Sequence, residues 1–307
     1  MTRRGFIGAT ALAGASLTAA SGFAQQAAEK DGGPKSGVTR GPRTTPIVCG
    51  FSGNLAKIPY PELGLIAQQI GYDAVDLTVM EGGHVNPHIT NVDLVRAIES
   101  VRGAGLEVPM ITTTLTSLRD NTAYPILVIA GHTDVHLFRT GYWPWANGSN
   151  PQRRLLEVRN DILQLAQVGR QYQIAAMLPN KAGGFVGEAV WDMQTIVADT
   201  DPASAGYFFD PSQTQAWEIP LRVALPRLKG VAVQDFYWAK TGGKWAMKMC
   251  PLGEGMVDWT LFFRILAEAH FTGPLSIHFD YQADDAPGAQ AKDLEFVRKQ
   301  IQTAGFA

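Results

Sequence analysis

The chain has 307 residues, of which 46% are hydrophobic and 18% are charged, so it suits one large α/β domain or two smaller ones. Its net charge is −2 and it has no long basic run, which argues against a nucleic-acid partner. No apolar stretch reaches the roughly 20 residues that are needed to span a bilayer.

The N-terminus predicts a twin-arginine export signal at residues 1–24. Arg3 and Arg4 precede a mildly apolar run that is rich in Ala and Gly and ends in small residues spaced as a cleavage site. We expect its removal on export to the periplasm or beyond, which leaves a chain with no stable membrane insertion. Residues 25–45 have the Gly, Pro and Lys content of a flexible linker, so the folded domain is expected at 46–307.

From residue 46 the chain alternates short apolar runs with longer segments of helical periodicity. Eight strands are predicted, at 46–52, 73–79, 107–113, 135–141, 173–178, 205–210, 230–235 and 274–279. Eight helices are predicted after them, at 60–70, 91–105, 122–132, 151–171, 190–199, 216–226, 257–270 and 290–304. Eight such strand–helix units predict a single-domain (β/α)8 TIM barrel. An open doubly wound sheet is the alternative, but residues 50–59 lack the G-x-G-x-x-G spacing expected after its first strand.

Titratable side chains follow three consecutive predicted strands. Asp210 ends the sixth strand, Asp235 ends the seventh, and His278 lies in the eighth, two residues before Asp280. The C-terminal ends of the strands form the active-site face of such barrels, so these side chains are expected at one rim. Aspartate and histidine suit a divalent ion such as Mg, Mn, Co or Zn. The sequence predicts a metal site of Asp210, Asp235 and His278, while a hydrogen-bonded structural role is the alternative for each.

Loops after other strands offer candidates for catalysis. His84 follows the second strand in a glycine-rich loop, and Glu254 lies between two glycines after the seventh. Either side chain could act as a general base, or it could only hold its own loop in place. Lys181 follows the fifth strand, where its ammonium group could hold an anionic or hydroxyl group.

Several segments resemble the sugar isomerase/epimerase superfamily of xylose-isomerase-like TIM barrels. The main one is CPLGEGMVDWTLFFRILAEAHFTGPLSIHFDY (250–281), and further matches lie at 72–87, 180–193, 208–213 and 231–240. These segments are most similar to an exported bacterial branch of sugar phosphate isomerase/epimerase-like proteins. The resemblance implies a TIM barrel and sugar chemistry at its C-terminal face.

The resemblance also implies a divalent metal held by Glu, Asp, His and Glu on strands five to eight. Asp210 matches the strand-six ligand, and His278 stands where the strand-eight Glu would be. Strand five has no carboxylate, and strand seven offers Gln234 and Asp235 instead of His. The ligand set is therefore only partly present, which weakens the case for a two-carboxylate epimerisation.

A small-molecule sugar is the substrate that the resemblance implies. Aromatic side chains suit the C–H faces of a sugar ring, although they also pack loops. The expected substrate contacts are Asn180, Gln213, Trp143, Tyr237 and Trp238.

The expected reaction is metal-assisted proton removal next to the carbonyl of a non-phosphorylated keto-sugar, through an enediolate, with Glu254, His84 or His278 as the base. Export favours a free or glycosidic sugar over a sugar phosphate. A lyase or hydratase acting on 3-keto-sugars or glycosides is one alternative, and a catalytically inactive barrel that binds carbohydrate or protein is another. The sequence does not decide the sugar, the metal, or whether the chain forms a homo-oligomer.

Overall fold

Parallel strands close into a barrel in the computed structural model, which describes residues 43–145, 148, 150–214 and 216–306. The predicted export signal lies outside the described residues, as does nearly all of the predicted linker. The barrel strands are β1 (Ile47–Phe51), β2 (Ala74–Val79), β3 (Glu107–Thr113), β4 (Leu137–Arg139), β5 (Ala175–Pro179), β6 (Ala205–Phe209), β7 (Leu228–Val233) and β10 (Pro274–Ile277). Because β10 pairs with both β7 and β1, the sheet has no free edge.

An antiparallel hairpin interrupts the barrel between β7 and β10. Its strands are β8 (Asp235–Thr241) and β9 (Lys244–Cys250), which pair along their whole length. Gly242 and Gly243 form the two-residue turn, and both have the positive φ that such a tight turn requires. This hairpin was not predicted from the sequence.

Helices follow the barrel strands and cover the outside of the sheet. Those in the described ranges are α1 (Tyr60–Ile70), α2 (Thr90–Gly103), α3 (Ala123–His132), α4 (Pro151–Gln171), α5 (Val190–Val197), α6 (Glu218–Ala224), α7 (Trp259–Glu268) and α8 (Ala286–Ala304). The side chains of Asn150, Asp258 and Asp285 accept backbone N–H bonds at the first turns of α4, α7 and α8, which fixes where these helices begin. None of the described helices is long and apolar enough to cross a membrane.

Alternation along each strand separates the outer core from the barrel interior. Val231 and Val233 of β7 belong to the large apolar cluster between sheet and helices, whereas Ala232 lies in a smaller cluster with Met177 and Phe208. Outward and inward positions therefore alternate up to the end of each strand, as the two-residue period requires. The predicted (β/α)8 barrel is confirmed.

Candidate active site

Four polar side chains occupy the last inward positions at the C-terminal end of the barrel. Arg139 ends β4, while Asp210, Gln234 and His278 directly follow β6, β7 and β10. All four are buried, because the barrel walls and loops surround them. We call these four residues the barrel mouth.

Three polar atoms of the barrel mouth lack hydrogen-bond partners. They are Arg139 Nε, Gln234 Oε1 and His278 Nε2, and no other enclosed side-chain nitrogen or oxygen of the described residues is unpaired. An enclosed polar atom without a partner costs about 1–3 kcal/mol, so folded proteins keep few of them. Their concentration at one end of the barrel makes the barrel mouth the candidate site for a polar ligand.

Neighbouring side chains and backbone fix Asp210 in the barrel mouth. Its carboxylate accepts bonds from the Ser212 N–H at 2.8 Å, the Ser212 hydroxyl at 2.7 Å and the Gln234 amide at 2.5 Å. Asn180 bonds to both the backbone N–H and the carbonyl of Asp210, which ties the end of β5 to the end of β6. Burial raises the pKa of Asp210 to about 6, against the smaller opposing effects of these bonds and of the Lys181 charge.

His278 is held between aromatic rings as a neutral imidazole. It stacks on Phe51 with a centroid distance of 4.2 Å and an interplanar angle of 5°, and the Phe208 ring lies 6.4 Å away. Burial, followed by the charge of Arg139, lowers the pKa of His278 to about 3. The ring therefore carries no charge near neutral pH, and Nε2 remains available to a ligand.

Arg139 is a functional candidate that the sequence analysis did not identify. Its Nη1 donates to the Tyr142 hydroxyl at 2.8 Å, and its guanidinium carbon lies 5.5 Å from the ring centroids of both Tyr142 and Phe208. The signal was present in the sequence, because arginine is rare at an inward position of a barrel strand and stands there directly after Phe138.

A buried carboxyl group, also missed in the sequence, lies within the barrel near Arg139. Asp76 of β2 accepts bonds from the Thr112 and Ser276 hydroxyls, both at 2.8 Å. Burial raises the pKa of Asp76 to about 6, and the charge of Arg139 opposes that rise. An acidic residue in the middle of a strand whose other residues, apart from Thr78, are apolar is the sequence signal that could have revealed it.

Asp235 faces away from the barrel mouth and holds a loop. Five groups donate to its carboxylate, at distances from 2.9 to 3.3 Å: the backbone N–H groups of Phe236, Gly253, Gly255 and Val257 and the indole N–H of Trp259. Alternation explains this position, because Asp235 has the outward parity of Val231 and Val233, whereas Gln234 points inward.

The residues present do not fit the predicted divalent metal. Only Asp210 and His278 of the predicted set lie in the barrel mouth, while Asp235 is engaged with its loop. Asp280 is exposed and accepts a bond from Asn54 at 3.0 Å. Across the described ranges, no group of three or more His, Cys, Asp or Glu side chains is arranged to hold a metal ion.

The predicted catalytic residues occupy three different surroundings. His84 is held by the Thr78 hydroxyl at 3.3 Å and the Leu55 carbonyl at 3.1 Å, so both ring nitrogens support its loop. Glu254 is exposed on the loop that Asp235 fixes. Lys181 lies beside the barrel mouth, with Nζ 5.5 Å from the centroid of the Tyr142 ring.

Of the expected substrate contacts, two lie at the site. Asn180 bonds to the Asp210 backbone, and the Gln213 amide donates to the Ser212 hydroxyl at 3.1 Å. Trp143 is buried, and its indole N–H donates to the Thr116 carbonyl at 3.2 Å, so its ring is occupied by packing. The two remaining residues, Tyr237 and Trp238, lie on the β8–β9 hairpin, and their exposed fractions are 43% and 45%.

The profile of the family described as xylose isomerase-like TIM barrel matches residues 65–300. The chain belongs to this family. No curated protein sequence matches this chain.

Solved structures share the fold of this family member at low sequence identity. A xylose isomerase-like TIM barrel protein from Mycobacterium smegmatis, in complex with magnesium, has a TM-score of 0.68 and 14% identity, covering 85% of this chain and 98% of its own. The apo 3-keto-D-glucoside 4-epimerase from E. coli has a TM-score of 0.67 and 13% identity, and the match covers 83% of this chain and 100% of its own. The probable 3-DHS dehydratase from Bacillus anthracis has a TM-score of 0.66 and 12% identity, and the match covers 83% of this chain and 99% of its own.

Proposed function

We propose that this protein is an enzyme of sugar isomerase or epimerase type, which removes a proton next to a carbonyl of a sugar bound in the barrel mouth. The observation that carries this proposal is the concentration of three unpaired polar atoms there, on Arg139, Gln234 and His278. Sugars present hydroxyl and carbonyl groups that both donate and accept, so one ligand could satisfy all three atoms. Fold relatives that are epimerases support the same class of reaction.

Asp210 is the side chain suited to move the proton. Its pKa of about 6 is close to the range in which a group both accepts and returns a proton efficiently at neutral pH. Ser212 and Gln234 hold the carboxylate in one orientation, and a carboxylate has further lone pairs beyond those bonds. His278, with its lowered pKa, is a weak base and serves as a binding group instead.

Lys181 is the group placed to stabilise the charge that develops. Removing the proton shifts negative charge to the carbonyl oxygen, and a fixed cation nearby favours that shift. Lys181 lies close enough to Asp210 for its charge to lower the pKa of that carboxyl. Return of the proton by Asp210 to the neighbouring carbon gives isomerisation, whereas epimerisation requires a separate proton donor, such as a water molecule, on the opposite face of the enediolate.

Elimination from the same enediolate is the related alternative. Loss of a β-substituent would make the enzyme a lyase or hydratase on 3-keto-sugars or glycosides, and a fold relative that is a dehydratase supports this branch. The twin-arginine segment supports a periplasmic or exported location, and with it a free or glycosidic sugar rather than a cytoplasmic sugar phosphate.

A non-catalytic carbohydrate-binding barrel is the second candidate. The observation that favours it is that no group of three or more His, Cys, Asp or Glu side chains among the described residues is arranged to hold a metal ion. Such a protein would bind a sugar in the barrel mouth without exchanging any of its carbon-bound hydrogens.

Solvent deuterium exchange tests the proposal whichever product the enzyme forms. Purified protein is incubated in D₂O with a panel of keto-sugars and 3-keto-glycosides, and deuterium at the carbon beside the carbonyl is measured by NMR. We expect exchange with at least one of them, reduced about 10²- to 10⁴-fold in Asp210→Asn. Asp134→Asn is the matched control, because Asp134 is exposed, precedes β4 at the opposite end and has a positive φ that asparagine tolerates.

Two outcomes separate the candidates. Binding of a sugar without any exchange would contradict the enzyme and favour the binding barrel.

The same assay after dialysis against EDTA is expected to keep its rate, because the barrel mouth lacks a three-ligand metal set. A rate that collapses and returns only with added Mg²⁺ or Mn²⁺ would contradict this side-chain mechanism.

A further inference from the structure

One edge of the Arg139 guanidinium has no protein partner. Nη1 donates to the Tyr142 hydroxyl at 2.8 Å, whereas Nε is enclosed and unpaired. No hydrogen bond joins Nη2 to any described residue, and Nη2 is not among the enclosed unpaired atoms, so it is at least partly accessible. Nε and Nη2 lie side by side on a planar guanidinium, with N–H bonds that point the same way.

Arg139 also lacks a counter-ion in the part of the chain that the structure describes. No carboxylate there lies within ion-pair distance of Arg139 or of Lys181. The two nearby carboxylates, Asp76 and Asp210, are held by neutral donors instead. Asp76 lies close enough for the charge of Arg139 to lower its pKa, but no carboxylate of the described residues contacts the guanidinium, so the unpaired N–H groups are left for a bound anion to satisfy.

We infer that the substrate carries an oxyanion, best supplied by a carboxylate on the sugar, which binds bidentately to the Nε/Nη2 edge of Arg139. The two parallel N–H bonds of this edge match the two oxygens of a carboxylate. A phosphate presents the same oxygen geometry and is the other source of such an anion. The inference rests on the proposed function, because it takes the barrel mouth to be the substrate site.

Arg139 and Lys181 both lie near the Tyr142 ring but act on different titratable groups. The Arg139 guanidinium carbon and the Lys181 ammonium nitrogen each lie 5.5 Å from the centroid of the Tyr142 ring. Lys181 acts electrostatically on Asp210, the proposed base, whereas the charge of Arg139 acts on Asp76 and His278. The anion would thus anchor one end of the sugar while the reacting carbon lies at Asp210 and Lys181.

Matched acidic and neutral sugars test this inference by calorimetric titration. The probes are D-glucuronate and D-galacturonate, their parents D-glucose and D-galactose, and the corresponding 6-phosphates. We expect the acids to bind about 100-fold more tightly than their parents, since hydrogen bonds between charged groups are the strong ones. Tighter binding of the 6-phosphates than of the uronates would assign the anion as phosphate, and the reverse would assign it as carboxylate. Oxyanion forms that bind no better than their neutral parents would overturn the inference.

Variants at Arg139 identify the residue responsible. Arg139→Gln is expected to weaken binding of the acids about 100-fold and of the parents less than about threefold, while Arg139→Lys, which keeps charge but loses the fork, falls between. Arg170→Gln is the control, because Arg170 is exposed at the far end of α4. Equal weakening of acids and parents would contradict the inference. If Arg139→Gln does not fold, the preference of the wild-type protein for the acids over their neutral parents still decides the question.

The two proposals fail in distinguishable ways. Deuterium exchange on neutral keto-sugars that is insensitive to Arg139→Gln would keep the enzyme and overturn the oxyanion. Selective binding of acids without any exchange on acidic or neutral keto-sugars would keep the oxyanion and overturn the enzyme.

Discussion

Asp210 and Asp235 follow neighbouring strands of the barrel, yet their carboxylates face different surroundings. Side chains supply most of the donors to Asp210, and one polar partner, Gln234, still has an unpaired oxygen. Backbone N–H groups and one indole supply all five donors to Asp235. A carboxylate saturated by backbone amides stabilises a loop, whereas one among adjustable and unpaired side chains is available for chemistry. The two roles differ because Asp210 stands at an inward position of its strand and Asp235 at an outward position.

Removing the Asp235 carboxylate is expected to have the largest effect on stability. Asp235→Ala leaves five donors without their acceptor, several of them enclosed, so we expect a loss of about 3–5 kcal/mol in the free energy of unfolding. Urea unfolding followed by circular dichroism measures it. Asp210→Ala is the comparison and is expected to lose less, since Ser212 and Gln234 can rearrange or bind water. An equal or larger loss for Asp210→Ala would break the contrast between the two residues.

Titration of Asp210 gives the next largest effect. Burial raises its pKa from 3.8 to about 6, so the folded protein holds this proton more tightly than the unfolded chain does. The free energy of unfolding therefore falls as the pH rises from about 4 to about 6, by about 3 kcal/mol for this group. Asp210→Asn cannot titrate and should lack that part of the fall.

The measurement is urea unfolding at intervals between pH 4 and pH 7. Asp76 and Asp293, whose pKa values are also raised to about 6, contribute in the same direction and remain in both proteins. Asp134→Asn, at the opposite end of the barrel, should follow the wild type. Parallel curves for wild type and Asp210→Asn would show that Asp210 is not buried as described.

The tip of the β8–β9 hairpin should give the smallest effect. Trp245 is 67% exposed on β9, so Trp245→Gln is expected to change the free energy of unfolding by less than about 0.5 kcal/mol. The Trp245→Gln variant should exchange deuterium into the sugar at the wild-type rate, since Trp245 lies outside the barrel mouth. A marked loss of exchange would place the hairpin in the substrate site, next to Asp210 in importance.

Strand periodicity made much of the barrel predictable. Eight apolar runs separated by helical segments indicated the (β/α)8 fold, and Leu275 and Ile277 of the last barrel strand lie in the outer core, as the two-residue alternation requires. Asp210 and His278 were predicted at the barrel rim because both stand next to strand ends, and the structure places both in the barrel mouth. The same alternation, applied to the seventh strand, would have assigned Gln234 rather than Asp235 to the interior.

Long-range contacts explain what the sequence could not provide. The free edge of Arg139 and its stacking on Phe208 depend on side chains from strands far apart in the chain. The engagement of His84 with Leu55 is equally non-local. The hairpin was different, because its Gly242–Gly243 turn is a local signal that separates two short runs of strand-forming residues.

The way Asp235 holds its loop also bears on how this barrel could diversify. Its carboxylate binds the chain at Phe236, where the hairpin departs, and again at Gly253, Gly255 and Val257, where the chain returns. Both ends of the insert are clamped to one point, and doubling a loop's length costs only about 0.6 kcal/mol in closure entropy. We therefore expect the segment between these anchor points to tolerate changes in length and composition while the barrel mouth keeps its arrangement.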